Sequence, residues 1–286
     1  MEINKKIQQS LLNISSLPTL PTVIESITRL LQNPKTSAEE IGKAITTDQA
    51  LTAKVLKLVN SAFYGFPGRI STITHAIVIL GFSTVKNIVL TASIFEAFKS
   101  SDNAVCGFDL EQFWTHSIAC GAASHALARI MGNKEKEECF IGGLIHDIGK
   151  LILYKYYPEE FSSVLTYANT EDILFYEGEK KFLDITHEEI GSYIAQRWKL
   201  PSKLQSSVKN HHNPLPVYDN YINTGIVHCA DIFVRALDYG NGGDKKIPLL
   251  SENVWTDLEL ENRSLVSIFD TIQDEVEKAT EFIYLI

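Results

Sequence analysis

The chain has 286 residues, 45 % of them hydrophobic, and a formal net charge of -9. That length can bury a large core, as one big domain or two smaller ones. The acidic balance argues against nucleic acid as a partner, because phosphate-backbone affinity rests on Lys and Arg. No apolar run reaches the length of a membrane span and the first residues lead into no apolar signal core, so a cytoplasmic protein with no membrane partner is expected.

In chain order, residues 1–14 read as a short amphipathic helix or arm, and Leu17-Pro18-Thr19-Leu20-Pro21 as a stiff extended stretch. Val23, Ile24, Ile27, Leu30 and Leu31 recur at helical spacing over 22–32, and Asn33-Pro34 ends that helix. Ser37-Ala38-Glu39-Glu40 is a capping box that opens a helix through Ile45. Asp48 is the expected cap of the next helix, with Leu51, Val55, Leu58 and Val59 on its apolar face. An aromatic-rich loop runs from Asn60 to Gly68. Helices follow over about 71–80 and 83–98, broken at Gly81. The polar run 99–107 reads as a link between two halves.

Asp109 is placed to cap a long helix to about Met131, whose Ala119–Ser124 stretch is small enough for a close helix crossing. The next helix runs from near Lys136 to His146-Asp147, and another from Leu151 to Tyr157. Gly149 between them can supply a left-handed helix end. Residues 158–178 show a looser helical pattern. Asp184 is expected to cap the helix carrying His187, and Pro201 to stand in the first turn of a helix ending at His211-His212. Asp219 is expected to cap a helix to about Tyr239, Gly240-Asn241-Gly242-Gly243 to form a flexible tip, and two helices near 258–269 and 272–284 to close the chain. No strand pattern, repeat or low-complexity segment is visible. The four cysteines, Cys106, Cys120, Cys139 and Cys229, form no C-x-x-C pair and read as reduced, mostly buried thiols.

The second half carries an ordered set: His116, His146-Asp147, His187, His211-His212 and Asp231. Each lies on or at the end of an expected helix. Imidazole suits Zn, Fe, Mn or Ni, and a carboxylate can bridge two cations. The set is large enough for two metal ions with three or four protein ligands each, Asp147 being the natural bridge. Such a pair can clamp both oxygens of a phosphoryl displacement. Gly142 and Gly143 allow another backbone or a cofactor close by, and Lys150 puts a cation beside an anionic ligand. Taken singly, every one of these residues has an ordinary structural reading, as His75 and His125 do. His228, three residues before Asp231 on one helical face, reads as a supporting partner or a core residue.

This order resembles the HD superfamily of metal-dependent phosphohydrolases. His146-Asp147-Ile148-Gly149-Lys150, followed by one His and then a His-His pair, is especially similar to its HD-GYP branch. The resemblance implies metal ligation by His116, His146, Asp147, His187, His211, His212 and Asp231. It implies two divalent transition-metal ions, iron or manganese before zinc or nickel, and a cyclic dinucleotide as substrate. Asp147 and Lys150 would be the catalytic residues, with Lys150 on the substrate phosphate. Two departures stand out. Asn213-Pro214-Leu215-Pro216 replaces the Gly-Tyr-Pro segment that names the branch. Gln112 stands where some relatives carry a Glu that helps hold a third metal, and a neutral amide replaces it poorly.

The first half resembles the HDOD domain, the HD-related output domain of bacterial signalling proteins. The matching text is Leu17-Pro18-x-Leu20-Pro21, Asp48 with the run from Leu51 to Gly65, and Ile73 to Gly81. His187-x-x-Ile190-Gly191 and Trp198-x-Leu200-Pro201 fit as well. The resemblance implies an all-α protein of two packed helical bundles, an HDOD-specific one over 1–100 and an HD-like one over 101–286. With no room for a receiver, cyclase or DNA-binding unit, a stand-alone output module is expected. The leading expectation is therefore a signal-transduction scaffold with a di-metal site and a regulatory protein partner. The alternative is a metal-dependent phosphohydrolase with a nucleotide or phosphate ligand. The HDOD half and the missing Gly-Tyr-Pro segment favour the first, the complete ligand set the second.

Overall fold

The computed structural model describes residues 36–98 and 107–285, with Ser26, Ile27 and Leu30 before them. The helix or arm expected over 1–14, the 17–21 stretch and all but the last residue of the link lie outside the described residues; of the helix expected over 22–32 only Ser26, Ile27 and Leu30 are described, and they are helical. The fold is all-α, and the described residues contain no strand. None of their helices is long and apolar enough to cross a membrane. They cluster into two compact units, one of residues 36–98 with 278–285 and one of residues 107–277.

Local capping sets the first unit. Ser37 Oγ accepts from the Glu40 amide and Glu40 Oε2 accepts from the Ser37 amide, opening α1 (Ala38–Thr46). Asp48 Oδ1 takes the Leu51 amide at 3.0 Å and starts α2 (Gln49–Val59), which buries the expected face of Leu51, Val55, Leu58 and Val59. Each such side chain contributes roughly 1.5–3 kcal/mol on full burial. The aromatic loop that follows is held shut by Asn60, which donates to Ile70 O at 2.8 Å and accepts from Ile70 N at 2.8 Å. Thr72 caps α3 (Ile73–Leu80), and Gly81, at φ 84°, turns the chain into α4 (Phe82–Phe98). The closing 3-10 turn, Thr280–Leu285, also belongs to this unit: Phe282 packs edge-on against Phe63 at 5.5 Å.

The second unit holds the remaining helices. They are α5 (Leu110–Ile130), α6 (Lys136–Ile145), α7 (Ile148–Tyr156), α8 (Pro158–Glu171), α9 (Phe175–Phe182), α10 (His187–Arg197), α11 (Ser202–Asn210), α12 (Tyr221–Ala236), α13 (Glu252–Asp257) and α14 (Leu265–Ala279). Asp109 caps α5 as its position predicts, accepting from the Glu111 and Gln112 amides. The small-residue stretch of α5 meets α6 backbone to backbone: a Cβ on Gly143 would collide with the carbonyl oxygen of Cys120.

Several expectations are corrected. Gly149 ends no helix. It lies inside α7, where a Cβ would collide with the carbonyl of His187, so its smallness serves the crossing of α7 and α10. Thr186, not Asp184, precedes α10, and its amide donates to Glu189 Oε2 at 2.9 Å. Pro201 stands one residue ahead of α11, and α12 is preceded by Asn220 in the left-handed region (φ 62°), not by Asp219. The looser 158–178 pattern resolves into α8 and α9, broken at Asp172 (φ 55°). The two closing helices expected near 258–269 and 272–284 are instead α13, a 3-10 turn at Leu260–Asn262, and α14. At the starts of α10 and α12 a polar residue with local hydrogen-bonding capacity stood near the boundary, and a neighbouring polar residue took the position ahead of the helix.

Candidate metal centre

The ends of helices deliver most of the site. His116 lies in α5, with Cys120 one turn later on the same face. His146 and Asp147 form the break between α6 and α7, and Lys150 follows in α7. His187 is the first residue of α10, His211 and His212 follow the last residue of α11, and Asp231 lies in α12.

The structure brings every expected ligand together. His116 Nε2 is 3.1 Å from Asp231 Oδ1, and His146 Nε2 is 3.4 Å from Asp147 Oδ2 and 3.8 Å from Asp231 Oδ1. Asp147 Oδ1 is 3.1 Å from His187 Nε2 and 3.6 Å from His211 Nε2, and His212 Nε2 is 3.1 Å from His187 Nε2. Two groups result: His116, Cys120, His146 and Asp231, and Asp147, His187, His211 and His212. The ligand atoms within each lie within 4.8 Å of one another. All are buried except His212, which is partly exposed.

The surroundings orient the rings. Gly143 O, Glu179 Oε2 and Val208 O lie 2.6, 2.7 and 3.1 Å from Nδ1 of His146, His187 and His211. These oxygens can only accept, so each Nδ1 carries hydrogen and each Nε2 points its lone pair inward, the tautomer that metal ligation needs. His228 plays the supporting part. Its Nε2 accepts from the Ser251 amide at 3.1 Å, so its Nδ1 donates to the His211 carbonyl at 2.7 Å.

Such an arrangement is poor without a cation. The Nε2 atoms of His187 and His211, both acceptors by the assignment above, face each other at 3.4 Å beside a carboxylate. His146 Nε2 and Asp147 Oδ1 are buried with no hydrogen-bond partner, the nearby His187 nitrogen being out of line for one. Unpaired buried polar atoms are costly. In the bare protein a proton answers the same field: burial lowers the His187 pKa, but Glu179 and Asp147 outweigh it and raise it to about 9. Burial pushes both carboxyls up. Even so, His146, Lys150 and His187 hold Asp147 well below the usual carboxylate range, and Arg235 and His116 do the same for Asp231. His212 is pushed well down by burial and by His211 and His187, which favours a neutral ligand. Both donor groups fit a divalent metal ion.

Sequence reasoning missed four contributors. Glu179 is fully buried and accepts both the amide and the ring Nδ1–H of His187. Arg235 donates to Asp231 Oδ1 at 2.8 Å and to Asp244 Oδ1 at 2.9 Å. Cys120 lines the first group. The fourth is the Gly240–Gly243 loop, expected to be a flexible tip. Gly242, Gly243 and Asp244 are buried, the Asn241 amide donates to Gln112 O at 3.0 Å, and Gly242 O accepts from Lys150 Nζ at 3.0 Å. The loop is a strap across the site, because side chains that small let its backbone approach the buried lysine. Arg235 sits one helical turn after Asp231, a spacing visible in the sequence. Nothing local marks Glu179 in its charged run.

Comparison with known proteins agrees with this architecture. A protein of Treponema pallidum (strain Nichols) described as uncharacterized is 29 % identical over 272 residues, 93 % of this chain and 48 % of that protein, so the chain spans about half the length of that curated relative. The crystal structure of an HDOD domain protein with unknown function from Geobacter sulfurreducens superposes with a TM-score of 0.75, at 24 % identity, over 96 % of this chain and 97 % of that one. A candidate phosphohydrolase from Shewanella amazonensis SB2B matches with a TM-score of 0.73, at 24 % identity, over the same 96 % and 97 %. Both show the shared fold. The model of the HDOD domain family matches residues 17–214, well over half of the sequence, and this chain belongs to that family.

Proposed function

We propose that this chain is a signal-transduction output module that holds two divalent transition-metal ions in its buried His/Asp centre and acts by engaging a regulatory protein partner. One ion would be held by His116, His146 and Asp231 and the other by Asp147, His187, His211 and His212, with Asp147 placed to bridge. Such ions supply Lewis acidity and template the residues around them. Iron or manganese would suit the nitrogen and oxygen donors, and zinc or nickel the imidazoles.

The observation that carries the non-catalytic reading is the state of Lys150. A phosphohydrolase of this pattern needs that cation free for a substrate phosphate. Here the side chain is fully buried, its ammonium turned inward onto Asp147 Oδ2 at 2.7 Å and covered by the Gly242 carbonyl. Asn213-Pro214-Leu215-Pro216 offers little to position an anion, since proline has no N–H. A specific observation favours the alternative, a metal-dependent phosphohydrolase of a cyclic dinucleotide or other nucleotide. A cleft of about 520 Å³, lined by Tyr176, Lys180, Glu188 and Asn213 among others, opens on His212. A substrate entering there would reach the second ligand group without displacing the strap.

The test is metal analysis of protein purified without chelators, followed by turnover of cyclic di-GMP and of an activated phosphodiester with Mn²⁺ or Fe²⁺ supplied. Bound metal with weak or no cyclic di-GMP cleavage is expected. Fast, metal-dependent cleavage abolished by His146→Ala would replace this reading with the hydrolase. Metal-free protein that takes up no metal would remove both.

A further inference from the structure

The two ligand groups are not alike. Asp147, His187, His211 and His212 offer three imidazoles and a carboxylate, whereas His116, His146 and Asp231 are joined by a sulfur. Cys120 is 0 % exposed, and its Sγ lies 3.6 Å from His116 Nε2, one turn along the same face of α5. An independent feature points into the same space: His146 Nε2 is buried, directed at this group by the Nδ1–H bond to Gly143, and has no hydrogen-bond partner. A cysteine buried only for packing needs no unpaired imidazole nitrogen in its own group.

We propose that Cys120 is the fourth ligand of the metal position built on His116, His146 and Asp231, and that this makes it a closed, thiolate-containing zinc position. The proposal rests on the di-metal reading above. Two nitrogens, one sulfur and one oxygen are donor types that zinc takes in protein sites, and with the Asp147 carboxylate shared between the ions they would leave this position no open place. Sulfur is a soft donor that selects zinc over manganese or magnesium, while the other group has no sulfur and discriminates less. Metal binding displaces the thiol proton to solvent and leaves the sulfur bonded to zinc, with no redox change. Arg235, bonded to Asp231, offsets part of the negative charge of thiolate and carboxylate. The pair is then chemically unequal: one position closed by four protein groups, the other reaching the cleft through His212.

Cobalt titration of the full chain, under anaerobic and reducing conditions, tests this directly, because only a cobalt–thiolate bond gives an intense near-ultraviolet charge-transfer band. The band is expected with the first equivalent of Co²⁺ and is lost in Cys120→Ser and Cys120→Ala. It survives in Cys139→Ser, Cys229→Ser and His212→Ala. Zinc affinity of the first position falls more than about 100-fold in Cys120→Ala, beyond the 10–100-fold usual for groups that merely orient a ligand. Manganese uptake changes far less. If the Cys120 variants do not fold, Cys106→Ser/Cys139→Ser/Cys229→Ser, which leaves Cys120 as the sole thiol, must keep the band, and its loss there overturns the proposal. Cobalt that binds without the band, or a band that persists without Cys120, overturns it while leaving the metal centre standing. Failure to bind cobalt at all removes both.

Discussion

The ammonium of Lys150 lies 2.7 Å from Oδ2 of Asp147, three residues earlier in the chain, and both side chains are at most 1 % exposed. The pair makes the site partly self-neutralising: the carboxylate that the proposed ions would share already holds a cation that the chain itself supplies.

That relationship predicts a linkage between lysine and metal. Removing one partner of a buried pair costs about 3–5 kcal/mol, because the other charge stays behind. Lys150→Met should incur that cost in chelator, where Asp147 loses its cation. With metals supplied, two divalent charges face the same carboxylate and the cost should shrink. Urea melts of wild type and variant in both conditions give the comparison. An equal cost in both would show that Asp147 meets no metal.

Metal removal should destabilise the fold. The candidate ligands join α5, the α6–α7 break, α10, α11 and α12, so ions bound only to the folded chain would add stability by mass action, about 2.7 kcal/mol at a concentration 100 times the dissociation constant. Chelation is expected to lower the melting temperature, and Asp147→Ala to abolish that sensitivity. Identical melting curves with and without chelator would show that any bound metal is not structural.

Gly149 is predicted to be intolerant of a single methyl group. A Cβ there meets the backbone of His187, which cannot yield as a flexible side chain would. Gly149→Ala should cost at least about 3 kcal/mol, the upper end of overpacking penalties, and should weaken metal uptake by displacing His187. Gly132→Ala is the control: its φ of 68° strains an alanine, but nothing lies within 4 Å of the added carbon, so metal uptake should be unchanged. Equal metal content in wild type and Gly149→Ala would refute the crossing argument.

A pH dependence should arise away from the metals. His125 in α5 sits 2.7 Å from Glu275 Oε1 in α14 and 3.7 Å from Glu137 Oε1 in α6, and Arg129 is 3.4 Å from the other Glu275 oxygen. Burial disfavours the charged ring, but the two carboxylates outweigh it and raise its pKa above the ordinary 6.5. A folded pKa above the unfolded one gives stability that is complete below the unfolded value and lost as pH rises through the folded value. Wild type should therefore exceed His125→Gln in melting temperature most at about pH 6. The advantage should fade as pH climbs past the raised pKa. An advantage that grows with pH would mean that His125 is held neutral.

The helices with clear caps and spacing could be read from the sequence, because their signals are local. Ser37 with Glu40, Asp48 and Asp109 cap where expected, and Leu51, Val55, Leu58 and Val59 face inward. The order of His116, His146-Asp147, His187, His211-His212 and Asp231 nominated a candidate set, and the fold brings its members into two buried groups. Tertiary structure alone decided how that set is completed and closed. Glu179 reaches His187 only because α9 packs beside α10, and Gly149 is small because α7 and α10 cross there. Cys120 joins the first group because α5 and α6 meet backbone to backbone at Gly143. The Gly240–Gly243 loop is polar and glycine-rich, which reads as mobile in isolation, yet Gly242 and Gly243 are buried and the Gly242 carbonyl answers a lysine 92 residues away. Periodicity and capping act over a few residues and leave a trace in the sequence, whereas burial of a charge is settled between segments that only the fold brings together.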